Sequence, residues 1–385
     1  MIYFAPQGMK QGMNAKNKTA ITAIGTANPK YKQLQTATAE LIALSLNLQP
    51  REKRLLKSVY SATGIEQRYS VIGDYCKTPE EFDFFPNNAG APFPSTAARM
   101  KIYKDNALDL ALSAINNCLS ALDGFNISEI SHLITVSCTG MYAPGIDIEI
   151  VNKLNLNSST KRTAINFMGC YGAFNAIKIA DTICKAEPAA TVLIVCVELC
   201  TIHFQKNMNM DNIISNSIFS DGAAAIIIQA KPKYKKYFTL ENFHCDLLPQ
   251  TDQEMAWHIG DNGFDIILST YVPDIINSGI ANFTKNLLNQ YKLTLQDIHF
   301  FAIHPGGLKI LQACEKALSI SKDHNKYAYH ILRYYGNMSS ATILFVLKEI
   351  WDDINHQDHQ KNIFSCAFGP GLTLESMILR TNCAE

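Results

Sequence analysis

Residues 165–196 read INFMGCYGAFNAIKIADTICKAEPAATVLIVC, and this stretch decides the fold class. Over residues 170–185 the apolar side chains recur at helical spacing, and Thr191-Val192-Leu193-Ile194-Val195-Cys196 is a short continuous run of the kind that forms a fully buried strand. Outward from it, His132-Leu133-Ile134-Thr135-Val136 and Ala223-Ala224-Ala225-Ile226-Ile227-Ile228 read as further strands. Strand and helix in turn predict an α/β layered sandwich. The order then returns: a strand His299-Phe300-Phe301-Ala302-Ile303, a helix opening at Asn337, and strands over 363–367 and 373–379. The expectation is two similar halves related by a pseudo-two-fold axis. Cys170 would open a helix in one and Asn337 its counterpart in the other, so that two helix N-termini converge.

The boundaries follow from punctuation. Residues 1–18 are polar and are expected to be mobile; the first half runs over 19–232 from the strand Thr19-Ala20-Ile21-Thr22-Ala23-Ile24-Gly25, and the second over 233–385. Pro, Asn and Gly crowd residues 85–94, a surface loop, after which Ser95 can cap a helix. Lys plus Arg and Asp plus Glu both number 34 in 385 residues, which argues against a nucleic-acid or membrane-surface partner. The 11 cysteines show neither CxxC pairs nor the spacing of a disulfide scaffold or metal site, so a reducing cytoplasm is the natural setting. The N-terminus lacks a continuous apolar core and no stretch reaches the roughly 18 apolar residues of a membrane span.

Three far-separated segments carry chemistry: a thiol in Gly169-Cys170-Tyr171, an imidazole in Ile303-His304-Pro305-Gly306-Gly307, and a carboxamide in Gly336-Asn337-Met338-Ser339-Ser340. A cysteine nucleophile needs an imidazole to hold its thiolate and donors for the oxyanion on the attacked carbonyl. A helix N-terminus beside Cys170 and an imidazolium at His304 would both favour the thiolate. Each residue also has a structural reading: Cys170 as one buried cysteine among several, Cys138 included, His304 as a strand-end histidine, and Asn337 as a helix cap. Their combination favours acyl transfer.

These motifs, with Ile24-Gly25-Thr26-Ala27-Asn28-Pro29, Phe219-Ser220-Asp221-Gly222 and Phe368-Gly369-Pro370-Gly371-Leu372-Thr373, resemble the signatures of type III polyketide synthases, the chalcone synthase family, across roughly residues 19–380. The resemblance implies a homodimeric thiolase-like fold in α/β/α/β/α layers, working on malonyl-CoA and an acyl-CoA starter without metal or redox cofactor. It implies that Cys170 carries the acyl chain while His304 and Asn337 drive decarboxylation of malonyl-CoA. Phe219 matches one of the family's two gate phenylalanines; Ile266 stands at the other. His203 and Trp257 stand where plant chalcone synthases have small cavity residues, so chalcone formation is not expected, and Cys138 and Ser339 join the expected cavity. Residues 257–264 look more like bacterial members, several of which extend fatty acyl starters to pyrones or resorcinols.

Arg51, Lys53, Arg54 and Lys57 are candidates for the CoA phosphates, against a reading as a solvated helix face. Two other functions fit parts of the pattern. An initiating ketoacyl-ACP synthase shares Cys-His-Asn but usually follows its histidine with a Gln-Ala-Asn-like sequence; a catalytically silent acyl-CoA-binding protein would have no need of all three groups.

Overall fold

A computed structural model of the chain describes residues 18–86, 92–230 and 232–383. The expected mobile leader lies outside the described residues except for Lys18, as do residues 87–91 of the expected surface loop.

The strands are β1 (Ala20–Ala27), β2 (Tyr31–Leu34), β3 (Gln67–Ser70), β4 (His132–Ser137), β5 (Lys161–Asn166), β6 (Thr191–Leu199), β7 (Asp221–Gln229), β8 (Lys236–Leu247), β9 (Met255–Gly260), β10 (Gly263–Leu268), β11 (Ile298–Ile303), β12 (Asn362–Gly369) and β13 (Thr373–Cys383). Nine of them form one hydrogen-bonded run in the order β11-β12-β13-β8-β1-β7-β6-β4-β5. The order is self-similar about the β1/β8 contact. β4 and β6 are parallel, β6 and β7 antiparallel, and β7 and β1 antiparallel; β11 and β12, β12 and β13, and β13 and β8 repeat these three relations. Among the described residues the halves meet in the sheet over a short contact, Ala20 with Thr239 and Ile21 with Phe238, extended by the Leu240 N–H donating to Thr19 O at 2.8 Å.

Alternation along the strands creates the layers. On β6, Val192, Ile194 and Cys196 face one core while Leu193, Val195 and Val197 face another; on β12, Ile363 and Ala367 face the first core and Phe364, Cys366 and Phe368 a third. The shared core holds the helices Gly172–Ala186 and Thr342–Asp353, lying between the two sheet halves. Helices Gln35–Ser45, Pro50–Ala62 and Thr96–Leu119 cover the outside of the first half, and Val272–Gln290 with Leu308–Leu318 that of the second. Five layers result. Ser95 does cap its helix, the 24-residue Thr96–Leu119, accepting from the Ala98 N–H at 3.3 Å.

The stretch 255–268, which reads as irregular in the sequence, is a hairpin: β9 and β10 pair antiparallel, Trp257 faces Ile266, and Gly260-Asp261-Asn262-Gly263 forms the turn. An acidic or amide residue followed by Gly263, whose φ is 113°, is the signal for it.

Gly25 fixes how closely the helix Thr96–Leu119 approaches β1. A Cβ there would lie 2.1 Å from the Cys118 nitrogen and 2.4 Å from the Ala114 oxygen, both backbone atoms that cannot swing aside. Gly25→Ala is expected to lower stability by about 3 kcal/mol, read as a fall in urea midpoint; an unchanged midpoint would refute this account of the helix spacing.

Candidate active site

The two central helices begin side by side, and each is preceded by one tight turn that carries a reactive group. Gly169–Tyr171 is a 3-10 turn leading into Gly172–Ala186, and Ser339–Ala341 is a 3-10 turn leading into Thr342–Asp353. Cys170 and Asn337 therefore sit just ahead of the helices rather than at their first residues. Both turns use left-handed backbone, at Phe167 (φ 60°) and Gly169 (φ 74°) before the cysteine, and at Gly336 (φ 70°) and Ser339 (φ 46°) around the asparagine. Such conformations in Phe and Ser persist only where packing enforces them. At Gly169 a side chain is excluded outright, because a Cβ would lie 2.3 Å from Pro370 Cδ.

The orientation of the Asn337 carboxamide is settled by its partners. Its Oδ1 accepts the Ser339 N–H at 2.8 Å and the Thr342 hydroxyl at 3.3 Å. Nδ2 is thereby left to donate to the Gly306 oxygen at 3.4 Å, and Cys170 Sγ lies 3.9 Å from Nδ2 and from Oδ1 alike. Its backbone is tied to the Phe219 segment: the Asn337 N–H donates to Ile218 O and its oxygen accepts from Ser220, both at 2.9 Å. His304 follows β11, its N–H donating to Cys366 O at 2.8 Å. The ring is 1 % exposed and neither nitrogen has a hydrogen-bond partner among the described residues. A buried imidazole without partners is a group held ready for a ligand.

Cys170, His304 and Asn337 line one cavity of about 650 Å³ together with Cys138, Phe219, Trp257, Ile266 and Ser339. The cavity adjoins an apolar outer groove of about 920 Å³, with which it shares Ile218, Leu268, Gly306 and Ile310. Burial governs the protonation states. It pushes the Cys170 thiol up to about 12 against the pull of the Ser339 and Asn337 side chains, and it holds His304 down to about 3. The thiolate and imidazolium expected from the sequence are not what burial favours: desolvation disfavours both charges, and His304 makes no hydrogen bond to the sulfur that would offset it.

Two other expectations change place. His203 does not line the Cys170 cavity. Its Nδ1 accepts the Phe264 N–H at 3.0 Å, so Nε2 carries the proton and donates to Thr139 O at 2.7 Å; stacked on Phe264, it braces the β9/β10 hairpin and borders an adjoining cavity. Of the four basic candidates on the helix Pro50–Ala62, Lys53 and Lys57 both pair with Glu40, while Arg51 and Arg54 are exposed; none borders the groove, whereas Lys309 does.

Sequence reading missed Cys200, Met255 and Leu268 on the cavity wall, and Glu198 behind it. Glu198 is the one acid in the otherwise apolar β6 and is fully buried. One oxygen accepts from Cys138 N at 3.0 Å and Thr139 Oγ1 at 2.8 Å, and the other from the Ser340 hydroxyl, so it ties the loop after β4 to the turn after Asn337. Cys138 Sγ in turn accepts the Gly169 N–H at 3.0 Å. Desolvation raises the Glu198 carboxyl to about 7. A raised carboxyl favours the folded state fully below the unfolded value near 4.5 and loses that contribution as pH climbs to about 7. Glu198→Gln is therefore expected to match the wild type near pH 4.5 and to gain a relative Tm advantage up to pH 7, level beyond it; a pH-independent Tm difference would show that Glu198 is ionised throughout.

With this geometry in view, the family can be assigned. The N-terminal domain profile of chalcone and stilbene synthases matches residues 7–232, and the C-terminal domain profile residues 240–383. The Mycobacterium tuberculosis protein named "Alpha-pyrone synthesis polyketide synthase-like Pks18" is 30% identical over 363 residues, covering 93% of this chain and 90% of that one. A "Putative chalcone synthase" of Bacillus subtilis is 28% identical over 370 residues, 93% and 97% of the two chains. The crystal structure of PKS-I from the brown alga Ectocarpus siliculosus superposes with a TM-score of 0.88 at 28% identity, covering 96% of this chain and 99% of that one. Profile matches across both halves and a shared five-layer, thiolase-like architecture lead to one conclusion: the chain belongs to the chalcone and stilbene synthase family and is a type III polyketide synthase, an acyltransferase.

Proposed function

We propose that the chain extends an acyl-CoA starter with malonyl-CoA by repeated decarboxylative Claisen condensation and closes the product as a pyrone or resorcinol-type ring, with Cys170, His304 and Asn337 carrying the chemistry. The observation that supports this most is the convergence of a thiol, an unpartnered imidazole and an oriented carboxamide in one enclosed cavity beside an apolar groove. In this reading Cys170 attacks the starter thioester, passes its proton to His304, and expels CoA thiol. Malonyl-CoA then enters with its thioester oxygen between His304 and the Asn337 Nδ2–H. As carbon dioxide leaves, the electron pair of the broken bond becomes the enolate, whose oxygen takes these two donors. The enolate carbon attacks the Cys170 thioester, the thiolate departs, and the lengthened chain returns to the cysteine.

Neutral resting groups suit this sequence. A neutral imidazole can take the thiol proton in one step and offer a donor in the next, and both donors act where little water competes. The relative named for alpha-pyrone synthesis supports lactone closure.

The wider reading has CoA thioesters as the only small molecules required, two like halves over 19–232 and 233–385, and a homodimer. The self-similar strand order supports the halves, and the exposed outer edge strand β5 offers a surface to a second copy. A cytoplasmic setting fits the eleven unpaired cysteines, and no helix among the described residues is long and apolar enough to cross a membrane.

Purified protein given malonyl-CoA and a panel of short, aromatic and long-chain acyl-CoAs should yield products heavier than the starter by several two-carbon units in mass spectra; a single condensation that depends on a carrier protein would replace this reading with a ketoacyl-ACP synthase. Cys170→Ala should abolish condensation, and condensation retained in it would rule out the covalent route. His304→Gln and Asn337→Leu should each slow malonyl-CoA decarboxylation by about 100-fold or more, a loss that chemical quantitation of released carbon dioxide would reveal.

A further inference from the structure

Behind Phe219, Trp257 and Ile266 lies a second cavity of about 390 Å³, which shares these three side chains and Cys200 with the wall of the Cys170 cavity. The partition is thus one side chain thick. The Trp257 side chain is anchored in it by its Nε1–H, which donates to Cys138 O at 2.8 Å, whereas the side chains of Phe219 and Ile266 have apolar packing alone.

The two cavities differ in chemistry. Around Cys170 the wall is mainly apolar, whereas the second cavity is bordered by Arg68, Tyr75, Asn212 and Ser215. Arg68 is 2 % exposed; its Nε donates to Gln35 Oε1 at 2.9 Å, its Nη1 to Phe219 O, and its Nη2 has no partner among the described residues. Arg99, fully buried nearby, repeats the pattern: Nε donates to Pro94 O at 3.0 Å, Nη1 to Ile202 O and Phe204 O, and Nη2 to nothing described. Neither guanidinium has a carboxylate as an ion-pair partner within the described residues.

The buried acid closest in role, Asp221, already accepts from Val71 N, Thr201 N and Thr201 Oγ1 at 2.8, 2.8 and 2.7 Å. Asp221 acts on Arg68 and Asp265 on Arg99 through space, yet neither carboxylate accepts from the two Nη2 donors. A buried donor without an acceptor is costly, and a ligand that brings an anion satisfies it.

We propose that the second cavity receives the far end of the starter acyl group and selects a carboxylate there, so that the preferred starters are CoA monothioesters of dicarboxylic acids. The proposal rests on the polyketide synthase reading and refines it. Carboxylate oxygens would accept from Arg68 Nη2 and the Asn212 carboxamide while the thioester end reaches Cys170 past the small Ile266. No bond is made or broken in the second cavity, which acts by recognition alone.

The test compares kcat/KM for adipoyl-CoA against hexanoyl-CoA and for suberoyl-CoA against octanoyl-CoA, pairs equal in carbon count. The wild type is expected to favour the carboxylated member at least tenfold. Asn212→Leu and Arg68→Gln should each bring that ratio close to one, and Ile266→Phe should lower it by narrowing the partition. Both members of a pair are measured on one preparation, so loss of folded protein cancels; if Arg68→Gln does not fold, Asn212→Leu carries the test. Preference for the plain chains in the wild type, or an unaltered ratio in Asn212→Leu, would overturn the proposal while leaving the synthase reading intact. Absence of extension with every starter would overturn both.

Discussion

Two central helices, each buried along most of its length and fully so at its N-terminal end, organise this protein. Gly172–Ala186 and Thr342–Asp353 bury apolar side chains against both halves of the sheet, and residues 342–347 of the second are buried without interruption. A helix whose first turns are buried on every side can be placed in few ways, since close-packed surroundings fix its position and rotation. Its N-terminal end is fixed with it. Because both ends point the same way, the turns ahead of them meet, and the cysteine and asparagine they carry need no long loops to bring them together.

That enclosure sets the chemical character of the site. Water is largely excluded, so polar groups must find partners in the fold or wait for a ligand. Asn337 commits its amide oxygen to Ser339 and Thr342 and has only the long contacts to Gly306 O and the Cys170 sulfur on its nitrogen side, and His304 has partners on neither nitrogen. Glu198 is fully satisfied, at the cost of a carboxyl raised to about 7, and holds the neighbouring loops in register. The groups that are satisfied brace the cavity; those that are not are left for a ligand. The same division separates His203, both of whose nitrogens are committed, from His304.

Much of the fold was legible in the chain. Fully buried strands such as Thr191–Leu199 leave continuous apolar runs, and central helices leave amphipathic or wholly apolar patterns, so alternation and duplication could be read directly. The hairpin 255–268 was not, because its strands are short, partly exposed and carry their meaning in a two-residue turn. The exposed β5 was missed for a similar reason: a strand at the sheet's edge has lost the pattern that burial imposes. Helix Pro50–Ala62 showed its basic face, but whether that face met a ligand, solvent or Glu40 depended on a residue ten or more positions away.

The sequence by itself determined the fold class, the repeated order of strands and helices and the three candidate groups, since periodicity and short motifs are local properties that survive in one dimension. Only the tertiary structure decided which polar groups are spent and which are free. It turned the Asn337 amide through contacts with Ser339 and Thr342, removed His203 from the reactive cavity by a bond to Phe264, neutralised Cys170 and His304 through burial, and left Arg68 with a spare donor behind Ile266. Hydrogen-bond satisfaction and desolvation depend on which distant segments exclude water together, and no window of sequence contains that information.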